Sequence, residues 1–512
     1  MAGDIACSAS IPYRCHSFKE SIVRPALEPV AKRPIALVAA VAALVLTGLS
    51  GRYGFHRDEL YFLAAAERPA LGYVDQPPLT PMLAKLSVTL FGDTPAGLRV
   101  VATLAFVCAI VLVGLIAREL GAGRVGQVLA VVGAGIGGFG LGVGHMVSTA
   151  GFDMVAWLAL SAIVIRLMRG GDPRWWVVAG VTAGAAVWNK YLVLLLIAAL
   201  STTWLAVGPR DRLRTRWLPV GIAVGAAITA PTLWWQAVNG WPQLTVAAGI
   251  GADDGLLNRA MLVPEQLVYL SPVLVPVWMV GWRRLWRITE VRAFAVAYPL
   301  VCLVVFVAGG KGYYTLPLLL VLLAAGAEPT AAWLTRAWRG RLPVVVVTLC
   351  LGFAGSAVVS LPVLPASALT LSNAVNAEQG EQVGWPELVD SVAIAWGRPD
   401  IDDRDEAVVF TENYGQAGAV ERFGPDRSVP APYSGHMSYA DWGPPPDTHR
   451  GPVIVVHDDD TVLTSHFLGC EPVAVVDNGH GVDNEEQGTV VSLCRGTAAP
   501  WSVLWRDLRH YY

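Results

Sequence analysis

Hydrophobic positions in this chain fall in long, nearly unbroken runs, and about eleven such runs lie before residue 362. They cover 34–50, 98–117, 125–147, 153–168, 175–188, 191–207, 218–236, 263–282, 293–309, 314–327 and 342–361, each bounded by Gly, Pro, Trp or charge. A helix that crosses the hydrocarbon core needs roughly 20 mostly apolar residues, so the pattern predicts an α-helical polytopic membrane protein. After residue 365 the pattern changes. Strand-like runs at 407–410, 452–456, 472–476 and 489–493 alternate with helix-like stretches near 379–396 and 413–423, which predicts a small α/β domain. The expected organisation is an N-terminal segment 1–33, a transmembrane domain 34–362 with a long first loop at 51–92, and a C-terminal α/β domain 363–512.

Composition agrees with the pattern. Of 512 residues, 54% are hydrophobic and 15% charged, against about 25% charged in ordinary soluble domains. The first run follows Arg14, Lys19, Arg24, Lys32 and Arg33 and precedes no small-residue cleavage site, so it reads as an anchor. Short-loop arginines set the orientation, because such loops stay on the cytoplasmic side. With the N-terminus inside, clusters such as Arg166, Arg169 and Arg174 or Arg210, Arg212, Arg214 and Arg216 all fall inside. An odd number of spans then makes the C-terminal domain extracytoplasmic, in a multi-pass protein of the cytoplasmic membrane. The net charge of −3 conceals two opposed parts: 365–512 holds 23 acidic and 8 basic residues, and the remainder 17 and 29. The acidic tail excludes a nucleic-acid footprint. Its two cysteines, Cys470 and Cys494, are expected to pair, and no zinc spacing, nucleotide loop or nucleophile elbow is present.

Candidate chemistry concentrates in the first loop. Asp58 and Glu59 open an amphipathic helix just after the first run, as candidate catalytic carboxylates, although acidic residues also suit a helix N-terminus. Asp75-Gln76-Pro77-Pro78 forces an extended turn that would place Tyr73 and Asp75. Asp153, near His145, is an ionisable group beside an apolar run, where burial costs several kcal/mol and a functional role is the default hypothesis. Lys190 is a lone cation that opposes the orientation rule, better explained by an anionic ligand. Lys311 and Tyr314, in Gly309-Gly310-Lys311-Gly312-Tyr313-Tyr314, could donate to phosphate oxygens, and Arg259 is a further phosphate candidate. Carboxylates from early loops and cations from later ones suit transfer of a group from a lipid phosphate.

The stretch FHRDELYFLAAAERPALGYVDQPPLTPMLAKLSVTLFG resembles the first-loop signature of glycosyltransferase families 39 and 83. These are the C-type integral-membrane transferases that include protein O-mannosyltransferases and the lipid A aminoarabinose transferase. GFDMVAW, WNKYLVLLL and KGYYTLPLLL follow in the expected order, and TENYGQAGAVERFGP and YSGHMSYADWGPP resemble the tails of bacterial, especially actinobacterial, members. The resemblance implies an inverting transfer from a polyprenyl-phosphate sugar in the outer leaflet to a lipid, glycan or protein acceptor. It implies Asp58 as catalytic base with Glu59 beside it, Asp153 as a second acidic residue, Lys190, Lys311 and Tyr314 at the donor phosphate, and Tyr73 and Asp75 shaping the pocket. Gln76 stands where many members have histidine, which bears on substrate preference. Neither sugar nor acceptor is implied, and dependence on a divalent cation stays open. The alternatives are a transporter, which would show repeated halves and broken helices near the midplane, and a non-catalytic scaffold of the same fold.

Overall fold

The computed structural model describes residues 27–398, 404–458 and 460–512; residues 1–26 of the expected N-terminal segment, with Cys7 and Cys15, lie outside the described residues. All eleven apolar runs form helix. Six helices are long and apolar enough to cross a membrane alone: Lys32–Leu49, Pro95–Glu119, Thr149–Met168, Trp217–Val238, Gly312–Thr335 and Trp338–Ser360. Three runs give the shorter apolar helices Trp175–Val187, Val193–Val207 and Arg292–Ala308. The remaining two runs, 125–147 and 263–282, are not the straight spans expected. Arg124–Gly135 and Gly138–His145 bend by 61°, and Gly255–Val268 and Pro272–Arg287 by 71°. By length and composition the described residues thus hold six to eight crossings where eleven were expected.

Each break can be traced to particular residues. Pro272 lacks an N–H and disfavours helix at the residue before it. Gly137 is extended, and a Cβ there would lie 3.3 Å from the Leu270 carbonyl oxygen. The two breaks therefore face each other. The Phe139 N–H donates to the Tyr269 carbonyl at 3.0 Å, so a donor freed in one break meets an acceptor freed in the other, as apolar surroundings require.

Beyond Ser360 the chain builds a five-stranded sheet in the order 433–434, 408–411, 453–457, 490–494, 471–475. The first three strands are parallel and the last two pair antiparallel. Strands 408–411 and 453–457 are buried at every position, as expected for parallel strands covered on both faces. Helices Trp385–Trp396 and Tyr414–Phe423 cover one face and Trp501–Leu508 the other. The four strand runs and both helix stretches read from the sequence are present, and Cys470 and Cys494 form a disulfide.

This tail is not a separate body. Phe55, Leu60, Phe62 and Val74 of the first loop share one buried cluster with Trp385, Leu388, Val409, Ala417 and Ile454. Helix Arg57–Ala66 crosses helix Tyr414–Phe423 so closely that a Cβ on Gly418 would meet Leu60 Cβ at 2.9 Å. Leu60 is 1% exposed, and burial of such a side chain contributes about 1.5–3 kcal/mol. Arg68–Glu421 and Arg57–Glu485 ion pairs tie the same two regions at the surface.

Candidate active site

Helix Arg57–Ala66 starts where His56 caps it: the His56 side chain accepts from the Asp58 N–H, and Glu59 reaches back to the His56 N–H at 2.9 Å. This reciprocal cap satisfies donors that the first turn leaves free. Glu59 is fully buried, and so is Arg99, whose Nη2 lies 2.8 Å from Glu59 Oε2. Arg99 Nε and the Val147 N–H also donate to the carboxylate, at 3.0 and 2.9 Å. The rest of the guanidinium donates to the Ser50 and Gly54 carbonyls and to Gln382 Oε1. Such an ion pair is tolerated in a core only when its remaining hydrogen-bonding positions are filled.

Asp58, one residue earlier, faces the other way. It is half-buried, and Oδ1 accepts from the Tyr414 hydroxyl at 2.8 Å. Beside it Asp75 Oδ1 accepts from the Tyr61 hydroxyl at 2.6 Å, and Tyr61 Oη lies 2.7 Å from Ser438 Oγ. Tyr61 has one proton, given to Asp75, so the Ser438 hydroxyl supplies the second bond while accepting from the Val74 N–H. Burial pushes the Asp75 carboxyl up to about 6, although the Tyr61 bond pulls the other way. On the opposite flank His56 Nε2 meets Glu378 Oε2 at 3.0 Å, with Arg57 at 3.9 Å. Desolvation works against ionisation of Glu378, but the His56 bond and the Arg57 and Lys311 charges hold it at about 2.

The cations arrive from later in the chain. Lys190 Nζ lies 3.4 Å from the Tyr313 hydroxyl and 5.0 Å from the centre of the Tyr314 ring. Tyr313 stacks on Phe139 at 5.0 Å, and Tyr269 packs edge-on against Phe139, so the paired helix breaks set the wall on which Lys190 rests. Among the described residues neither Lys190 nor Lys311 has a carboxylate within salt-bridge distance. Asp153 is buried, and its Oδ1 has no hydrogen-bond partner among the described residues. Asp58, Asp153 and Glu378 all lie within electrostatic reach of Tyr313.

The structure thus gathers Asp58, Asp75, Asp153, Lys190, Lys311 and Tyr314 at one end of the bundle. Three expected site residues have other bonds, Tyr73 while its ring still lines a neighbouring cavity. Glu59 is enclosed and saturated, because its position in the cap aims it into the core towards Arg99. Tyr73 donates to the Ala65 carbonyl and so closes the end of helix Arg57–Ala66. Arg259 turns to the Phe306 and Val307 carbonyls, the unpaired acceptors at the end of helix Arg292–Ala308. Sequence reasoning missed Arg57, Arg99, Glu378 and Tyr414. Arg57 and Tyr414 lay inside the family-like stretches, and Arg99 is a lone cation opening an apolar run, where a buried charge demands a partner. No group of three or more His, Cys, Asp or Glu side chains gathers at metal-ligand spacing among the described residues.

Residues 75–235 match the family model described as dolichyl-phosphate-mannose-protein mannosyltransferase. No curated protein matches the sequence. Among solved structures, ArnT from Cupriavidus metallidurans in the apo state superposes with a TM-score of 0.57 at 14% identity, covering 91% of this chain and 98% of that one. The same enzyme bound to undecaprenyl phosphate gives 0.57 at 15% identity, over 90% and 97%. The arabinofuranosyltransferase AftD from Mycobacteria gives 0.52 at 16% identity, covering 91% of this chain but 40% of that longer one. The superpositions and the matched segment together give one conclusion: this multi-pass membrane protein has the fold of the C-type integral-membrane glycosyltransferases.

Proposed function

We propose that the chain transfers a sugar from a polyprenyl-phosphate donor to a hydroxyl or amine acceptor, with inversion, at the extracytoplasmic face of the cytoplasmic membrane. The observation that carries this reading is that Asp58 and Lys190 share one wall of tyrosines, with Lys190 and Lys311 outside salt-bridge distance of any carboxylate among the described residues. Asp58 takes the proton from the acceptor as its oxygen or nitrogen forms the new bond to the anomeric carbon. The bond from that carbon to the phosphate oxygen breaks, and its electron pair leaves on the polyprenyl phosphate. Lys190, Lys311 and the Tyr314 hydroxyl stabilise the departing charge, so little acid assistance is needed. Glu59 acts as a positioning residue rather than a base.

A lipid-linked donor has support from the fold. An apolar cleft of about 670 Å³ runs between helices Thr149–Met168, Trp175–Val187, Val193–Val207 and Trp217–Val238. Val187 and Leu194 line it and flank Lys190 in sequence, so a chain lying in the cleft would bring its phosphate towards that lysine. The ArnT structure that holds undecaprenyl phosphate shares the fold. The arginine-rich short loops at the opposite end of the bundle favour the extracytoplasmic placement.

The decisive experiment measures donor affinity and transfer rate on one purified Asp58→Asn protein. The change keeps shape and hydrogen bonding but removes the proton acceptor, so transfer should fall by about 100- to 10,000-fold with donor binding retained. Near-normal transfer by a folded Asp58→Asn variant would move the base to Asp75 or Asp153 and overturn the mechanism.

A further inference from the structure

A second cavity, of about 450 Å³, opens behind the Tyr61–Asp75 pair, where the first loop, the end of helix Trp217–Val238 and the tail meet. Its walls are aromatic: Tyr73, Trp235, Trp442 and Trp505. Its polar groups are of another kind from those around Asp58. Asp441 pairs with Arg509 and accepts from the Tyr511 hydroxyl through the same oxygen, Oδ1, so Oδ2 has no hydrogen-bond partner among the described residues. Asn239 donates to the Trp235 carbonyl and keeps its side-chain oxygen for other use. Asp441 and Arg509 are exposed at the rim, whereas Trp505 is buried and held by a bond to the Ala440 carbonyl.

Two features set the ligand class. Indole and phenol rings beside the Asp441 carboxylate and the Arg509 guanidinium suit a sugar, which has apolar C–H groups and hydroxyls that both donate and accept. An anionic lipid headgroup would want several unpaired cations, and here Arg509 is already paired and Arg68 lies over the Trp442 ring at 4.3 Å. The cavity is also wired to the reaction centre. Ser438 lines it and bonds Tyr61, which donates to Asp75, itself within electrostatic reach of Asp58 and Lys190.

We infer that this cavity is a saccharide subsite that holds a sugar unit of the acceptor, one or more residues away from the hydroxyl that attacks. The acceptor is therefore a glycan or glycolipid rather than a bare peptide. The inference rests on the glycosyltransferase reading for its role, though not for its ligand.

The test uses the full chain in lipid nanodiscs and a panel of methyl glycosides and short neutral oligosaccharides, with binding followed by saturation-transfer NMR. At least one saccharide should bind. Its affinity should fall tenfold or more in the Asp441→Asn, Asn239→Ala double variant and in Ala70→Phe, which fills an exposed rim position, and should hold in Lys190→Ala. In transfer assays the double variant should raise the acceptor KM while leaving kcat and donor affinity within about twofold. The inference is overturned if no saccharide binds, if the cavity variants bind normally, or if binding is lost in Lys190→Ala alone, which would place the sugar at the donor site. A wild-type protein that binds saccharide in the cavity yet transfers nothing would sink the glycosyltransferase reading and leave the cavity's ligand standing.

Discussion

The two sides of the first-loop helix carry the same charge into opposite surroundings. On the closed side, Glu59 is fully buried and meets Arg99, the Val147 N–H and the His56 N–H. On the open side, Asp58 is half-buried, accepts from the Tyr414 hydroxyl, and faces a region where Lys190 and Lys311 lie outside salt-bridge distance of any carboxylate among the described residues. The difference teaches that valence separates scaffold from chemistry where residue type does not. A carboxylate whose positions are all filled has no lone pair for a substrate proton, and one that is held by a single bond is oriented yet still basic. Glu59 fixes the helix, and the helix aims Asp58.

The comparison breaks most violently at Arg99. Arg99→Ala leaves the buried Glu59 charge uncompensated, and loss of one partner of such a pair costs about 3–5 kcal/mol. Folded yield and thermal stability in detergent should collapse, and an Arg99→Ala protein that is stable but merely inactive would place Glu59 on the chemical side after all. On the open side, Lys190→Ala should spare the fold and weaken donor binding by roughly 10- to 150-fold, the equivalent of about 1.5–3 kcal/mol for a charge-assisted contact. Titration with a non-transferable donor analogue reads this directly; unchanged affinity would assign the phosphate to Lys311. Tyr414→Phe is milder. Asp58 would lose its orienting bond, and kcat should drop about tenfold, roughly 1.4 kcal/mol, with donor affinity intact. A loss of donor affinity instead would make the hydroxyl a ligand contact.

The smallest effect is a pH dependence. The Asp75 carboxyl is pushed up to about 6 in the folded protein, from 3.8, so the folded state holds this proton longer than the unfolded one. The contribution to stability is full below pH 4 and is lost as pH rises through 6. Asp75→Asn removes the titrating group and leaves an oxygen to accept from Tyr61. Melting temperature followed from pH 4 to 7.5 should therefore fall more for wild type than for Asp75→Asn, with the gap opening between pH 4 and 6. Parallel curves would show that Asp75 titrates as it does in the unfolded chain.

The helices were legible because apolar runs of membrane length leave the backbone few alternatives, and the buried parallel strands because their apolar runs are short and rich in valine. The bends were not. Gly137 alone is compatible with a straight helix, and its break is fixed by Leu270 and Tyr269, far away in sequence. Asp58 and Glu59 stood out alike as acidic residues beside a span, and the structure separates the half-buried one from the enclosed one. A cap formed by His56 falls outside the usual Ser, Thr, Asp and Asn signals, so nothing local marked Glu59 as its partner. Glu378 carried no local sign, and Tyr414 lay in a stretch read only as family-like, because their roles exist only through contacts to residues more than 300 positions earlier.

That long reach governs when the protein becomes competent during its own synthesis. The bond between Asp58 and Tyr414 joins residues 356 positions apart, a stretch that takes roughly 20–70 s to make at usual elongation rates. A nascent chain with all of its membrane helices inserted still lacks the Tyr414 hydroxyl that bonds Asp58, the partner of His56, and the sheet that seals the first loop. A ribosome that stalls after residue 362 would leave the first-loop helix without the sheet and helices that bury it.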